Sequence, residues 1–427
     1  MKGKLSFPPY SRWVTLALRL VIAAVFILSG LTKAIDPWGF IYKIEEYLAS
    51  WGIDQPRSIV LVAAIALSAY EFICGLMLAL GAFRRSMPLF LIATMSVMLP
   101  LTAYIAIASP VSDCGCFGDF LKLSNTATFL KNVIITGALA YLIRYNSQLR
   151  WVAIRPALQW IAFLAAFVYI IAIALLGYIV QPLADFRDYP VGTSLVDRQS
   201  DSDEGEMTFT YQKDGEIKEF TIDQLPDSTW TFLSRNIPDT IGEDSSGSFT
   251  VYDDDEDVTN DVLVSDGLQL LITLPEPNLI DIAYAYNANV LAKAVTDRGG
   301  SVIGLLATDR QGIDNWVDLS MAQYPCYTVD DTTLKTLVRG DIGAVLLNDG
   351  QIEWKRSLSS IDYLQLESLG NPGTSLESIA VNRSIMTYLS ASLIALLTIL
   401  SAISHLFGSH NSLFKKKDVN LHHKTDN

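Results

Sequence analysis

Histidine and charged residues are scarce in this sequence of 427 residues. It has only four histidines, all within the last two dozen positions, and charged residues make up 18% of the chain. That placement argues against catalysis by histidine in the body of the protein. Half of the residues are hydrophobic and the mean hydropathy is +0.31, values too apolar for an ordinary soluble protein of this length.

Basic side chains are scarce in the middle of the chain. Residues 182–380 hold 36 of the 45 acidic side chains but only 12 of the 31 basic ones, so this segment carries a net charge of −24 and the rest carries +10. Such an acidic surface repels phosphate, which excludes nucleic-acid binding as the main role. The sequence therefore predicts a basic membrane part around an acidic soluble part.

Six hydrophobic runs have about the 20 apolar residues that a membrane-spanning helix needs. They are Trp13–Ala34, Ile59–Leu80, Met87–Ala108, Ala127–Ile143, Val152–Val180 and Ile385–Phe407. No small-x-small cleavage site follows the first run, so we predict a retained span and not a signal peptide. A lipid bilayer is therefore the first predicted partner.

The basic clusters between these runs predict the orientation. They lie before the first run, between the second and third, between the fourth and fifth, and after the sixth. With six spans all four clusters fall on one side, which the positive-inside rule makes cytoplasmic. We therefore expect an inner-membrane protein with both termini in the cytoplasm. Residues 35–57 and 109–124 and the acidic segment are then expected to face the periplasm.

The soluble segment is predicted to have two parts. Residues 182–265 are acidic and rich in short alternating runs, with a hairpin tip at Lys213–Gly215. Residues 266–380 alternate strands with helices, ending in a hairpin and a helix, which is the thioredoxin order. The predicted elements are strand Leu268–Leu274, helix Ile280–Arg298, strand Val302–Ala307, helix Asn315–Gln323, strand Tyr327–Val329, helix Asp331–Val338, hairpin 344–355 and helix Leu358–Leu369.

This predicted thioredoxin-like domain lacks the dithiol of that fold. Leu274–Asn278 stands where a Cys-x-x-Cys motif would follow the first strand, and Ile342 stands where the cis-proline would be. Cys326 is the only thiol of the domain, so it cannot form an intradomain disulfide. We therefore predict a scaffold without its own redox centre, in which Cys326 is a buried structural residue.

The predicted outward loop between the third and fourth spans contains a Cys-Gly-Cys-Phe-Gly motif, Cys114–Gly118. Two cysteines separated by one glycine can close a small, strained ring, and strain makes a disulfide easier to reduce. The following helix is predicted to begin near Asn125. Its N-terminal dipole, together with Lys131, would favour a nearby thiolate.

Three interpretations of the motif stay open. Cys114 and Cys116 could exchange disulfides, form a static structural disulfide, or provide half of a metal site. The predicted oxidising compartment favours paired cysteines. A metal would need two more ligands, and the loop offers only Asp113 and Asp119.

Two ionisable side chains lie well inside predicted spans, Arg19 in the first and Glu71 in the second. Such groups are costly in hydrocarbon and usually pair inside the bundle. Their estimated depths differ by about 7 Å at a rise of 1.5 Å per residue, so we predict that they pair with each other. Lys33 is predicted to lie at the opposite face of the membrane, and Cys74 to be a packing residue.

Several of these segments resemble known families. Arg19 and Phe26–Pro37, with Glu71 and Gly75, resemble the first two helices of the DoxX group. Asp113–Asp119, with 128–132, resembles the methylamine-utilisation MauE domain, and the resemblance covers about residues 10–147. It implies a four-helix membrane bundle tied to periplasmic redox processes. MauE is associated with disulfide-dependent maturation of a dehydrogenase, and DoxX proteins with sulfur-compound and quinone redox.

The sequence thus predicts an all-α four-helix membrane bundle of DoxX/MauE type joined to an extracytoplasmic α/β thioredoxin-like domain, with six transmembrane helices. The predicted divisions are the bundle at 1–147, a fifth span at 148–181, the acidic β-rich segment at 182–265, the thioredoxin-like domain at 266–380, and a sixth span with a basic tail at 381–427.

Three functions follow as hypotheses. The first is a redox accessory protein whose Cys114/Cys116 pair exchanges disulfides with a periplasmic thiol protein, methylamine metabolism being only the family label. No cofactor motif is evident, although a quinone in the bundle could accept electrons. The second is a non-enzymatic scaffold with a structural Cys114–Cys116 disulfide. The third is a transporter with Glu71 in a polar pathway.

Overall fold

A computed structural model describes most of the chain. The described residues are 9–108, 115–121, 123–146, 153–196, 208–213, 216–221, 231–236, 249–277, 283–370, 373–382 and 384–422. Cys114 lies outside them.

The helices are α1 Pro9–Ile35, α2 Pro37–Ser50, α3 Arg57–Leu80, α4 Ser86–Ala108, α5 Asn125–Tyr145, α6 Gln159–Ile179, α7 Thr259–Val262, α8 Ala283–Thr296, α9 Arg310–Ser320, α10 Asp331–Leu337, α11 Tyr363–Ser368 and α12 Ser384–His422. The strands are β1 Thr208–Lys213, β2 Glu216–Thr221, β3 Thr231–Asn236, β4 Tyr252–Asp253, β5 Glu256–Asp257, β6 Leu268–Leu274, β7 Ser301–Leu306, β8 Cys326–Thr328, β9 Gly343–Asn348 and β10 Gln351–Ser357.

Among the residues that the structure describes, six helices are long and apolar enough to cross a membrane: α1, α3, α4, α5, α6 with the turn before it, and α12. All six predicted spans are therefore confirmed as helices. Large apolar side chains on their outer faces remain exposed, such as Val62, Ile107 and Trp160. Such exposure suits a hydrocarbon solvent, in which the helix satisfies its own backbone polar groups.

Helices α1 and α3 form the tightest pair of the bundle. A Cβ atom on Gly30 would lie 2.4 Å from the backbone nitrogen of Phe72, and one on Gly75 would lie 2.8 Å from that of Ile27. The two backbones can approach this closely only because glycine lacks a side chain. Helices α4 and α5 complete the four-helix bundle.

Helix α6 packs against α1 and α3, and α12 packs against α6. The hydroxyls of Tyr169 on α6 and Ser390 on α12 are 3.0 Å apart. Near the other end of the pair, the Ser404 hydroxyl accepts a hydrogen bond from the backbone of Arg155 at 2.9 Å. The fifth and sixth spans therefore lie side by side.

Helix α2 was not predicted, because residues 35–57 were interpreted only as a loop. The Asp36 carboxylate caps its first turn by accepting a hydrogen bond from the Gly39 amide at 3.0 Å, and Pro37 follows at the first helical position. Trp38 is buried, and its indole N–H donates to the carbonyl of Tyr178 on α6. The helix is thus held against the end of the bundle.

The soluble part is built on a seven-stranded sheet in the order β10-β9-β6-β7-β8-β4-β5. Strands β6, β7 and β8 are parallel, β9 is antiparallel to its neighbour β6, and β10 is antiparallel to β9. This arrangement confirms the predicted thioredoxin-like fold. Cys326 is buried, as predicted.

Two helices of this domain differ from their predictions. Helix α9 begins at Arg310, five residues earlier than predicted, because Asp309 caps it. The predicted helix Leu358–Leu369 is a short 3-10 turn followed by α11. Neither difference changes the fold.

A separate three-stranded sheet has the order β2-β1-β3. Lys213 of β1 pairs with Glu216 of β2 in an antiparallel register. This pairing agrees with the predicted hairpin, whose two tip residues, 214 and 215, lie outside the described residues.

Candidate functional site

Residues 115–121, here called the cysteine loop, cover one end of the helix bundle. Gly115 and Gly118 have positive φ angles of 66° and 55°, which favour glycine. A Cβ atom on Gly115 would lie 2.6 Å from Cγ of Lys43 on α2. The glycines of the motif thus let the loop turn sharply and pass close to α2.

Cys116 is half-buried and faces a small cavity of about 30 Å³ inside the bundle end. Phe117 and Lys131 line the same cavity, and the Lys131 ammonium lies 4.4 Å from the centroid of the Phe117 ring. Helix α5 begins at Asn125, as predicted, capped by Ser124. Of the site residues predicted in this region, the structure therefore brings Cys116 and Lys131 together.

A buried ion pair lies beneath the cysteine loop. The Lys33 ammonium is 2.9 Å and 2.8 Å from the two carboxylate oxygens of Glu71, and both side chains are at most 5% exposed. The Ser29 hydroxyl lies 2.8 Å from Glu71 Oε2 and 2.6 Å from the carbonyl oxygen of Cys116. One serine therefore connects the ion pair to the backbone of the cysteine loop.

The predicted pairing of Arg19 with Glu71 is wrong. The Gly30–Phe72 and Gly75–Ile27 contacts set the register of the antiparallel helices, and this register places Glu71 level with the last turn of α1. In the same register, Arg19 is level with residue 83, about 18 Å along the helix axis from Glu71. Lys33 lies 14 residues after Arg19, in the last turn of α1, and it is the partner of Glu71. The error was therefore in the estimated depth of Glu71.

Arg339 of the thioredoxin-like domain reaches into the membrane part. Its guanidinium is 6% exposed and lies 2.8 Å from the carboxylate of Asp36, between α1 and α2. It also donates to the carboxylate of Asp119 in the cysteine loop. Because Asp119 is engaged in this way, a metal site that depends on its carboxylate is not favoured.

A second cluster of charges joins the two parts. Arg57, at the start of α3, contacts Glu45 of α2 at 3.0 Å, Glu276 at 2.8 Å and Asp341 at 3.3 Å. Lys335 of α10 contacts Glu276 at 3.2 Å. The predicted position of the missing dithiol, around Glu276, thus carries an ion-pair network.

The carboxyl groups of this interface have opposite pKa shifts. Burial would raise the pKa of Asp36, but the charges of Arg339 and Arg187 and two hydrogen bonds outweigh burial and hold it below its usual value. Burial raises the pKa of Asp341, and the nearby carboxylates of Glu276 and Glu45 add to this effect against Arg57. The Asp36–Arg339 and Asp341–Arg57 contacts therefore respond differently to a fall in pH.

A cleft of about 750 Å³ opens between α2, the cysteine loop and α10. Its lining mixes four basic with four acidic side chains, among them Lys43, Asp119 and Lys335. Lys43 is also the residue against which Gly115 packs. The cleft therefore gives polar groups access to the side of the cysteine loop.

Sequence reasoning missed Ser29, Lys33, Asp36 and Arg339. The first three lie within the stretch 26–37 that carries the family resemblance, so that motif was the available signal for them. No local signal identifies Arg339, because its partners are 303 and 220 residues away along the chain.

The fold and the site together define a multi-pass membrane protein in which a helix bundle is joined to a thioredoxin-like domain. Residues 11–145 match the family model of the methylamine utilisation protein MauE, so the chain carries a MauE domain. Residues 205–237 match DUF8463, a domain of unknown function.

A solved structure of the bacterioferritin comigratory protein of Xanthomonas campestris, studied for alkyl peroxide reduction, is 11% identical to this chain. The match covers 32% of this chain and 86% of the chain of that structure, with a TM-score of 0.20. No curated protein matches the sequence.

Proposed function

We propose that this protein is a redox accessory protein of the inner membrane that exchanges disulfides with a periplasmic partner through Cys114 and Cys116. The proposed orientation, with the cysteine loop and the thioredoxin-like domain on the periplasmic side, is supported by the basic clusters of the sequence and the positive-inside rule. That compartment is oxidising and allows disulfides to persist.

The bonds, electrons and protons of this thiol–disulfide exchange balance with only the cysteine pair and the partner as reactants. A thiolate of the reduced pair attacks the partner's disulfide, which forms a mixed disulfide and releases one partner thiolate. The second cysteine then attacks the mixed disulfide, so that the partner leaves as a dithiol and the Cys114–Cys116 bond forms. Two electrons and two protons pass from the pair to the partner, and the reverse sequence oxidises a partner dithiol.

The position of Cys116 is the observation that supports this proposal. Its carbonyl is tied through Ser29 to the Lys33–Glu71 ion pair, and Lys131 lies in the same cavity. A nearby ammonium group favours the thiolate form of a cysteine. The polar cleft beside the loop offers a path for a segment of the partner.

The cavity at Cys116 is smaller than the pockets that hold small organic ligands. Its volume of about 30 Å³ suits a single water molecule, whereas pockets for small organic ligands span about 300–1,000 Å³. The larger cleft is lined with charges, unlike the mainly apolar lining of such pockets. The exchange is therefore proposed without a quinone.

A non-enzymatic scaffold is the second candidate. The ion pairs of Arg339 and Arg57 hold the thioredoxin-like domain on the bundle, as an assembly protein would require. In that case the Cys114–Cys116 bond would be static and would not react with a partner.

Trapping tests the two candidates. The Cys114→Ser and Cys116→Ser variants, expressed in the native membrane and separated without reductant, are expected to accumulate mixed disulfides with a periplasmic protein. Cys326→Ser, which changes a buried thiol of the other domain, is the control and should trap none. If neither variant traps a partner and the wild-type pair stays oxidised under strong reductant, the scaffold is favoured.

A further inference from the structure

We infer that the thioredoxin-like domain positions the cysteine loop through Arg339, and that it does so with the edge where this fold would carry a dithiol. One consequence, that the domain regulates thiol exchange, rests on the proposed function. The contact itself is independent of any redox activity.

The edge is identified by the sheet. Strands β6 and β9 are neighbours, with Thr273 paired to Gly343. Glu276 shortly follows β6, at the predicted position of the missing Cys-x-x-Cys, and Ile342 shortly precedes β9, at the position of the cis-proline. This edge of the sheet faces the membrane part, because Glu276 and Asp341 contact Arg57.

Arg339 is the buried contact of this edge. It donates from Nε and Nη2 to the carboxylate of Asp36 and from Nη2 to that of Asp119. A Cβ atom on Gly39 would lie 2.8 Å from Nη2, so a glycine in the first turn of α2 makes room for the guanidinium. One cation thus holds two carboxylates that would otherwise repel each other.

Only one of these carboxylates belongs to the cysteine loop. Asp119 lies three residues after Cys116, in the 3-10 turn Gly118–Phe120. On the other side of Cys116, Gly115 packs against Lys43 of α2. Holding Asp119 therefore fixes the path of the loop, and keeps Cys116 half-buried over its cavity.

The test uses the fact that Asp119 lies in the cysteine loop and Asp36 does not. In the full-length protein with Cys114→Ser, the rate at which a maleimide alkylates Cys116 reports how tightly the loop is held. Arg339→Gln and Asp119→Asn are expected to raise this rate by roughly tenfold, since charge-assisted hydrogen bonds contribute about that factor or more. Arg339→Lys should restore part of the restraint.

Two matched controls separate loop positioning from docking in general. Asp36→Asn removes the negative charge beside the same guanidinium but keeps Asp119, and Arg57→Gln weakens the same domain interface through Glu276 and Asp341, which are not part of the cysteine loop. Both should change the rate by less than about threefold. Equal rates in wild type and Asp119→Asn, or an equal increase in Arg57→Gln, would overturn the inference.

The proposed function can fail separately. If the trapping experiment finds no partner but Asp119→Asn still accelerates alkylation, Arg339 positions the loop of a scaffold protein. If a partner is trapped but the rate is insensitive to both Arg339 and Asp119, exchange occurs without control by the thioredoxin-like domain. Asp119→Asn keeps the test valid should the Arg339 variant fold poorly.

Discussion

Lys33 and Glu71 form their ion pair in a part of the bundle where both side chains are almost fully buried. Removing two charges from water costs several kcal/mol each, which only close mutual contact and further hydrogen bonds offset. Ser29 supplies one such hydrogen bond. The pair therefore depends on both partners more strongly than a surface ion pair would.

We predict that Glu71→Gln lowers the stability of the membrane domain by about 3–5 kcal/mol, because it leaves the Lys33 charge buried without its counter-ion. Lys33→Met should cost a similar amount, and the double variant should recover part of the loss. Thermal unfolding in detergent measures all three. Arg19→Gln serves as the control and should not rescue Glu71→Gln, and rescue by that change would contradict the observed register.

At the residue scale, chemistry was easier to predict than geometry. An acidic residue inside a span identified Glu71 as a paired group from sequence alone, because hydrocarbon excludes an isolated charge. Its partner depended on the register of α1 against α3, which Gly30 and Gly75 set through backbone contact. Depth along a helix, counted from its ends, could not supply that register.

At the element scale, the close packing of α1 and α3 leads to a second prediction. Gly30→Ala and Gly75→Ala should each destabilise the bundle by about 1–3 kcal/mol, because the added methyl would overlap the backbone of the facing helix. The measurement is the unfolding midpoint in detergent.

Gly137 on α5 provides the matched control. A Cβ atom there meets nothing within 4 Å, so Gly137→Ala should be neutral or stabilise by up to about 1 kcal/mol through helix propensity. Equal losses at Gly30, Gly75 and Gly137 would mean that the effect is not helix packing.

Long apolar runs made the spanning helices predictable, since a bilayer allows few alternatives to a helix of that length. The amphipathic helix α2 was missed, although Asp36 and Pro37 form a recognisable helix start. Its apolar side chains are buried against the bundle by tertiary contacts such as that of Trp38 with Tyr178. Local sequence patterns do not predict those tertiary contacts.

For the whole molecule, the arrangement of the two parts could not be predicted. The fold of each part follows from local periodicity, but the interface depends on pairs such as Asp36 and Arg339, which are far apart in sequence. The sequence predicted a thioredoxin-like scaffold without its own dithiol. It did not suggest that the domain would bind its own membrane part.

The interface should respond to pH in two stages. Asp341 has a raised pKa, so the cost of its charge in the docked state is relieved as the pH falls from neutral through that value. Asp36 has a lowered pKa, so its contribution is complete above its ordinary pKa of about 3.9 and is lost as the pH falls further. Docking is therefore expected to be strongest in mild acid.

The unfolding midpoint, measured as a function of pH, checks this expectation. Asp341→Asn should raise the midpoint at pH 7 and flatten its rise in mild acid, whereas Asp36→Asn should lower the midpoint at pH 7 and remove the loss in stronger acid. A wild-type midpoint that falls steadily from neutral pH would contradict the opposite shifts.

The side-by-side packing of α6 and α12 affects how the thioredoxin-like domain behaves when its ion pairs open. The chain leaves the bundle after α6 and returns through α12. Because these two helices lie side by side, the segment 180–383 is attached to the bundle at two neighbouring points. An undocked domain would stay at an effective concentration of roughly millimolar near its site, and its return would be a first-order step. A separate protein competing for the cysteine loop would therefore have to overcome this local concentration, whatever the amount of the protein in the membrane.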